Sequence, residues 1–120
     1  MRIEVLFMAV VFALAGTLQQ KEDVLLSIDV QYQEGQHISN AKVENKSGEL
    51  LKGNFVFTMK KTGSSTSSSR QSGDFVLKAA EEKILSRSSI NLNEGDTAYC
   101  KLVVKIEDKT YTAEKILPED

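Results

Sequence analysis

At 120 residues the chain has room for one domain, and a formal net charge of −2 (15 Lys and Arg against 17 Asp and Glu) lacks the strongly basic balance that nucleic-acid binding needs. A hydrophobic content of 41% is enough for a packed core and excludes wholesale disorder. One Cys cannot form an internal disulfide, and one Cys with one His falls short of the three or four ligands of ordinary His/Cys zinc or copper sites.

The N-terminus differs from the rest. Met1 and Arg2 start it positively, blunted by Glu4, an apolar run spans Val5 to Ala15, and Ala13-Leu14-Ala15 fits the small-x-small cleavage pattern. The run is shorter than the roughly 20 residues that cross a bilayer. We read 1–15 as a signal peptide cleaved near Ala15, 16–23 as a flexible N-terminal segment and 24–120 as the folded domain. No Cys follows the apolar run to carry a lipid, so no membrane attachment is expected after cleavage.

Period two then dominates. Val24, Leu26, Ile28, Val30 and Tyr32 alternate with mostly polar neighbours, predicting a half-buried strand that closes at Gly35. A weaker second strand is predicted over 40–45, with Ala41 and Val43 inward, ending at Lys46-Ser47-Gly48. In the third, Leu51, Gly53, Phe55, Phe57 and Met59 face inward and Lys52, Asn54, Val56, Thr58 and Lys60 outward. The run from Gly63 to Ser69 has nothing to bury and is predicted as a solvated loop.

Gly73, Phe75 and Leu77 mark a fourth strand, and residues 79–83 a connection. A fifth carries Ile84, Ser86, Ser88, Ile90 and Leu92, before the turn Asn93-Glu94-Gly95-Asp96. In the sixth, Ala98, Cys100, Leu102, Val104 and Ile106 oppose Tyr99, Lys101, Val103, Lys105 and Glu107. A hairpin at Glu107-Asp108-Lys109 leads to a seventh from Tyr111 to Leu117, where Tyr111, Ala113 and Leu117 compete with Ile116 for the inside. Pro118 ends it, since Pro cannot donate to a ladder. Seven short strands with regular turns and no helix predict an all-β, immunoglobulin-like seven-stranded antiparallel β-sandwich preceded by a signal peptide. The paired Cys and central Trp of antibody domains are absent.

Chemistry-bearing constellations are scarce. Cys100 falls on an inward face with no CxxC and no evident group to lower its pKa, so it reads as a small buried hydrophobe. His37 falls in a predicted polar turn, and the acidic pairs Glu81-Glu82 and Glu119-Asp120 in connections or the tail. No GxSxG elbow is present. Asn45-Lys46-Ser47 fits a glycosylation sequon. No catalytic, cofactor-binding or metal-ligating residues are expected, and the chain reads as a non-enzyme.

A surface is more informative. In an immunoglobulin-like topology strands three, six and seven lie side by side. Lys52, Val56, Lys60, Tyr99, Lys101, Val103 and Lys105 then share one outer face, basic on a slightly acidic protein, with Val and Tyr in its middle. Two readings stand: a face for binding another chain, or a solvated face whose Lys residues guard against edge pairing and whose Val and Tyr follow β-propensity.

Gly53-Asn54-Phe55-Val56-Phe57, Lys60-Lys61-Thr62-Gly63 opening the Ser-rich run, Gln71-Ser72-Gly73-Asp74-Phe75, the Leu85 to Leu92 stretch, and Gly95 with Tyr99, Leu102 and Val104 occur in an order that resembles the curli-assembly chaperones of the CsgC/CsgH type, closest to the CsgH branch. The likeness covers about Gly53 to Thr112. It implies a periplasmic, ATP-independent, monomeric chaperone that inhibits premature amyloid polymerisation of a disordered, Gln/Asn-rich curli-type subunit. The Cys-x-Cys of the CsgC branch is missing, so no redox role carries over. The alternative is an exported immunoglobulin-like interaction module (adhesin, pilus or secretion accessory) with no amyloid client.

Overall fold

Alternating side chains produce seven strands in the computed structural model, which describes residues 23–118: β1 (Val24–Gln33), β2 (Gln36–Asn45), β3 (Leu51–Thr62), β4 (Ser67–Leu77), β5 (Glu82–Ile90), β6 (Thr97–Ile106) and β7 (Lys109–Leu117). The expected signal peptide 1–15, its cleavage point near Ala15 and residues 16–22 lie outside the described residues, as do 119–120. All pairings are antiparallel, in one sheet ordered β1-β2-β5 and a second ordered β4-β3-β6-β7. The expected immunoglobulin-like sandwich is what forms, with β3, β6 and β7 side by side. β4 bonds the far side of β3 instead of crossing to the other sheet, so it holds the position of a C′ strand.

The core follows the predicted parity of β3 and β6. Phe55, Phe57 and Met59 from β3 and Ala98, Cys100, Leu102, Val104 and Ile106 from β6 pack with Phe75 and Leu77 against Val24, Ile28, Ala41 and Val43 of the other sheet. Two glycines make the β3–β4 pairing work. Gly53 lies opposite Phe75 and Gly73 opposite Phe55, so each ring covers the space left by the glycine across from it. A Cβ at Gly53 would run into the Lys105 carbonyl and approach Phe75 Cζ to 3.0 Å.

Six expectations are corrected. β2 begins at Gln36, because Glu34 and Gly35 (φ 50° and 82°) form a two-residue turn that continues the pairing. His37 is therefore a strand residue, and Tyr32, expected inside, runs past the core and is 68% exposed, edge-on to the His37 ring at 5.0 Å. Ser67, Ser68 and Ser69 belong to β4, paired with Lys61, Lys60 and Met59, since an edge strand needs only backbone partners. In β5 the register skips Leu85 between Ala41–Ser86 and Lys42–Ile84, and this bulge turns Leu85 toward the core and leaves Ile84 56% exposed. Leu92 packs on the core from beyond the end of β5. The open question on β7 resolves with Tyr111, Ala113 and Leu117 inside and Ile116 outside.

Polar ties do the work a disulfide would otherwise do. Asn45 is fully buried, and its Nδ2 donates to the carbonyls of Glu49 (2.7 Å), Lys78 (3.0 Å) and Leu77 (3.3 Å) while its Oδ1 accepts from Ser47 N–H at 2.9 Å. The sequon is thus a structural joint between the sheets. Gln71 spans from β4 to β5, its Nε2 donating to Ser88 Oγ at 2.8 Å and its Oε1 accepting from Ser86 Oγ. Asp96 accepts from the N–H groups of Ser64 (2.9 Å) and Asn93 (3.0 Å) and faces Lys61 Nζ at 3.7 Å, clasping the β3–β4 turn to the β5–β6 turn. Gly63 (φ 143°) is required there, because a Cβ would overlap the Asp96 carboxylate.

Replacing Gly53 with Ala is expected to destabilise the domain by about 1–3 kcal/mol through overpacking, measured by denaturant unfolding. Gly48→Ala, which meets nothing within 4 Å, is the matched control. The backbone donors from Ser64 and Asn93, with a smaller contribution from Lys61, lower the Asp96 pKa. A lowered folded pKa stabilises above the unfolded value of about 4 and the gain is lost as pH falls through the folded pKa. Asp96→Asn should therefore melt earlier than the parent at neutral pH, with the gap closing on acidification.

Candidate binding face

The outer face of the four-stranded sheet is built by the same pairings that build the core. Across β4, β3, β6 and β7 its rows read Ser72, Val56, Val103, Thr112 at the centre; Arg70, Thr58, Lys101, Glu114 on one side; and Asp74, Asn54, Lys105, Thr110 on the other. The next row beyond Arg70 is Ser68, Lys60, Tyr99, Ile116. Four strands at about 4.8 Å spacing and eight residues of rise from Lys52 to Lys60 make a surface of roughly 14 by 26 Å.

All seven residues expected on this face are on it. Val56 and Val103 stand directly opposite each other at its centre, half-buried. Lys60 faces Tyr99, Thr58 faces Lys101 and Asn54 faces Lys105. Lys52 lies at the far end, opposite Val76. Three further charged residues complete it. Arg70 adds a cation beside Thr58, while Asp74 and Glu114 add carboxylates. Extending the alternation of Phe75 and Gly73 back along β4 would have placed Arg70 here, but the Ser-rich run masked the strand. Glu114 was hidden by the ambiguous facing of β7.

Glu114 stands opposite Lys101, yet its Oε2 accepts a 2.8 Å hydrogen bond from the Tyr99 hydroxyl. That bond, more than partial burial, raises the Tyr99 pKa above the usual phenol value. The carboxylate is thereby turned along its face toward the phenol of Tyr99. A shallow recess of about 450 Å³ opens between β4 and β6, lined by Thr58, Lys60, Ser68, Arg70 and Tyr99. Its walls offer cations, hydroxyls and one aromatic ring, which suits an anionic or polar chain lying flat.

The larger recess, about 690 Å³ at the end of the sandwich, mixes Asp23, Lys46, Glu49, Lys52, Glu107 and Lys109, with no nucleophile–base pair converging. Among the described residues no three His, Cys, Asp or Glu side chains sit together to hold a metal ion. Cys100 is fully buried, and burial raises its thiol pKa more than the Ser39 hydroxyl and Lys115 lower it. A neutral, enclosed thiol is a poor nucleophile. It is expected to react with a thiol-specific disulfide reagent only as the protein opens, so labelling should rise along the denaturant unfolding transition and be negligible before it.

No protein-family model and no curated protein sequence matches the chain. Among solved structures, the fold is similar to that of R. palustris CsgH, with a TM-score of 0.62 and 15% identity over 76% of this chain and 89% of that one. It is also similar to the E. coli curli protein CsgC, with a TM-score of 0.65 and 14% identity over 80% of this chain and 99% of that one. A Parabacteroides merdae β-glucuronidase matches with a TM-score of 0.55 and 15% identity over 78% of this chain but only 13% of its own. The chain therefore has the sandwich fold of CsgC and CsgH, matched over nearly their whole length, while the glucuronidase shares it only in a small part.

Proposed function

We propose that the protein is a periplasmic, ATP-independent chaperone that holds curli-type amyloid subunits in the unpolymerised state. The observation that carries this reading is the outer face of β4-β3-β6-β7: a valine pair ringed by Lys52, Lys60, Arg70, Lys101 and Lys105, with Asp74 and Glu114 in the edge strands, on the fold that CsgC and CsgH share. The partner is a disordered, Gln/Asn-rich subunit, met by a monomeric chaperone after export.

The mechanism is weak, reversible capture. An amyloid subunit grows by adding strands to an exposed edge, through backbone pairing and stacked amide ladders. A flat charged face offers it side chains and no edge. Carboxylates of the subunit are drawn to the lysines, while the small Val56–Val103 centre contributes too little apolar contact to hold the subunit permanently. Binding of this kind depends on ionic strength, since the screening length falls from about 8 Å at 0.15 M salt to about 3 Å at 1 M.

The test is a fibrillation assay with a purified curli-type subunit and substoichiometric protein. The parent should lengthen the lag phase severalfold at low salt and lose most of that effect near 1 M salt. Changing Lys52, Lys60, Lys101 and Lys105 together to Glu should abolish the delay, whereas reversing Lys46 and Lys109, which lie off this face, should leave it. Undiminished inhibition by the fourfold variant would show the face to be wrong. No inhibition by the parent would leave the exported interaction module as the better reading.

A further inference from the structure

Two open sheets leave four edge strands among the described residues: β1 and β5 on one sheet, β4 and β7 on the other. An unguarded edge offers N–H and C=O groups to any extended chain, and proteins blunt such edges with bulges, inward charges or cover. Three of these edges are blunted. On β7, Lys115 takes an inward position opposite Cys100. On β5, the bulge at Leu85 breaks the ladder, and Lys83 takes an inward position with its ammonium donating to the Val76 carbonyl at 3.1 Å. On β4, Gln71 is tied to Ser86 and Ser88 of the other sheet, next to Gly73 and the charges of Arg70 and Asp74.

β1 has neither a bulge nor an inward charge. It pairs with β2 without irregularity from Val24–Asn45 to Gln33–Gln36. Its inward residues Val24, Leu26, Ile28 and Val30 are all apolar, and its one acidic residue, Asp29, is bound to Lys42 Nζ at 2.8 Å. The two-residue turn at Glu34-Gly35 makes Gln33–Gln36 the bonded pair that closes the hairpin. By alternation the N–H and C=O groups of Leu26, Ile28, Val30 and Tyr32 then point to the free side.

The side chains flanking this edge specify a chemistry. On the outer side of the edge strand itself Gln31 and Gln33 are successive residues, with Gln36 of β2 beside Gln33 and Ile38 beside Gln31. Amides both donate and accept, so these two glutamines pair with amide side chains on an added strand. The charge on this outer face is nearly balanced, with Asp29, Glu44 and Glu82 against Lys42 and Arg87, and gives no pull on an acidic chain.

We propose that the free edge of β1 is a strand-addition site for an extended, amide-rich polypeptide segment. Backbone bonds to β1 supply the attachment, and Gln31 with Gln33 supplies the preference. The site lies on the sheet opposite the basic face and stands whether or not that face binds an amyloid subunit.

The experiment titrates isotope-labelled protein with a short soluble glutamine peptide flanked by lysines, a probe the basic face repels. Amide perturbation and slowed hydrogen exchange are expected at Leu26, Ile28, Val30 and Tyr32, with β4 and β7 unchanged. Val30→Lys, which gives β1 the inward charge that β7 has, should weaken binding at least tenfold. Absence of binding, or protection at β4, β5 or β7, would overturn the proposal. The parent's protection map decides the matter even where Val30→Lys folds poorly, and equal binding by a well-folded Val30→Lys would also overturn it.

Discussion

The register of β3 against β6 governs both what is inside this protein and what it shows to other molecules. Phe55 lies opposite Val104, Phe57 opposite Leu102 and Met59 opposite Cys100, and every one of these is buried. The residues between them, Val56 with Val103 and Thr58 with Lys101, are forced outward by the pleat. A slip of one residue would exchange the two sets, burying lysines and exposing phenylalanines. The energetic requirement for the core therefore specifies the arrangement of the outer face, with no separate stabilisation of the surface. The same ladder explains why Gly53 must be glycine: close packing of β3 on β6 and β4 leaves no room for a Cβ against the Lys105 carbonyl.

What could be read from the sequence depended on how strongly each strand alternates. β3 and β6 each carry five apolar or small residues in phase, and their facing was legible in full. β1 was legible except at Tyr32, where the strand outlasts the core it covers. β4 was half-legible, because Phe75 and Leu77 announce its end while Ser67 to Arg70 have no side-chain signal and pair through backbone alone. β5 misleads, since a bulge inserts one residue and reverses the phase of everything before it, and no composition marks the spot. The candidate face inherited these limits. Its lysines, valines and Tyr99 came from the two legible strands, while Arg70, Asp74 and Glu114 came from strands whose start or facing could not be read.

With no disulfide, the junctions between sheets have to be held by buried polar groups, and these are costly unless satisfied. Asn45 and Asp96 meet that condition in different ways. Asn45 uses both donor hydrogens and its acceptor to join the β2–β3 turn to the end of β4, one end of the sandwich. Asp96 keeps its charge by gathering backbone donors from two turns at the other end. Each ties segments distant in sequence, so each restricts the splaying of the sheets that their apolar contacts alone would permit.

The two sheets consequently present different opportunities to a second chain. The four-stranded sheet offers a broad charged face between edges that Lys115 and the Gln71 clasp blunt against pairing, so what it presents is side chains. The three-stranded sheet offers an outer face with little net charge but a regular strand, β1, whose backbone groups are directed outward. The core of the sandwich, from Val43 and Ala41 to Phe57 and Leu102, stands between the two surfaces.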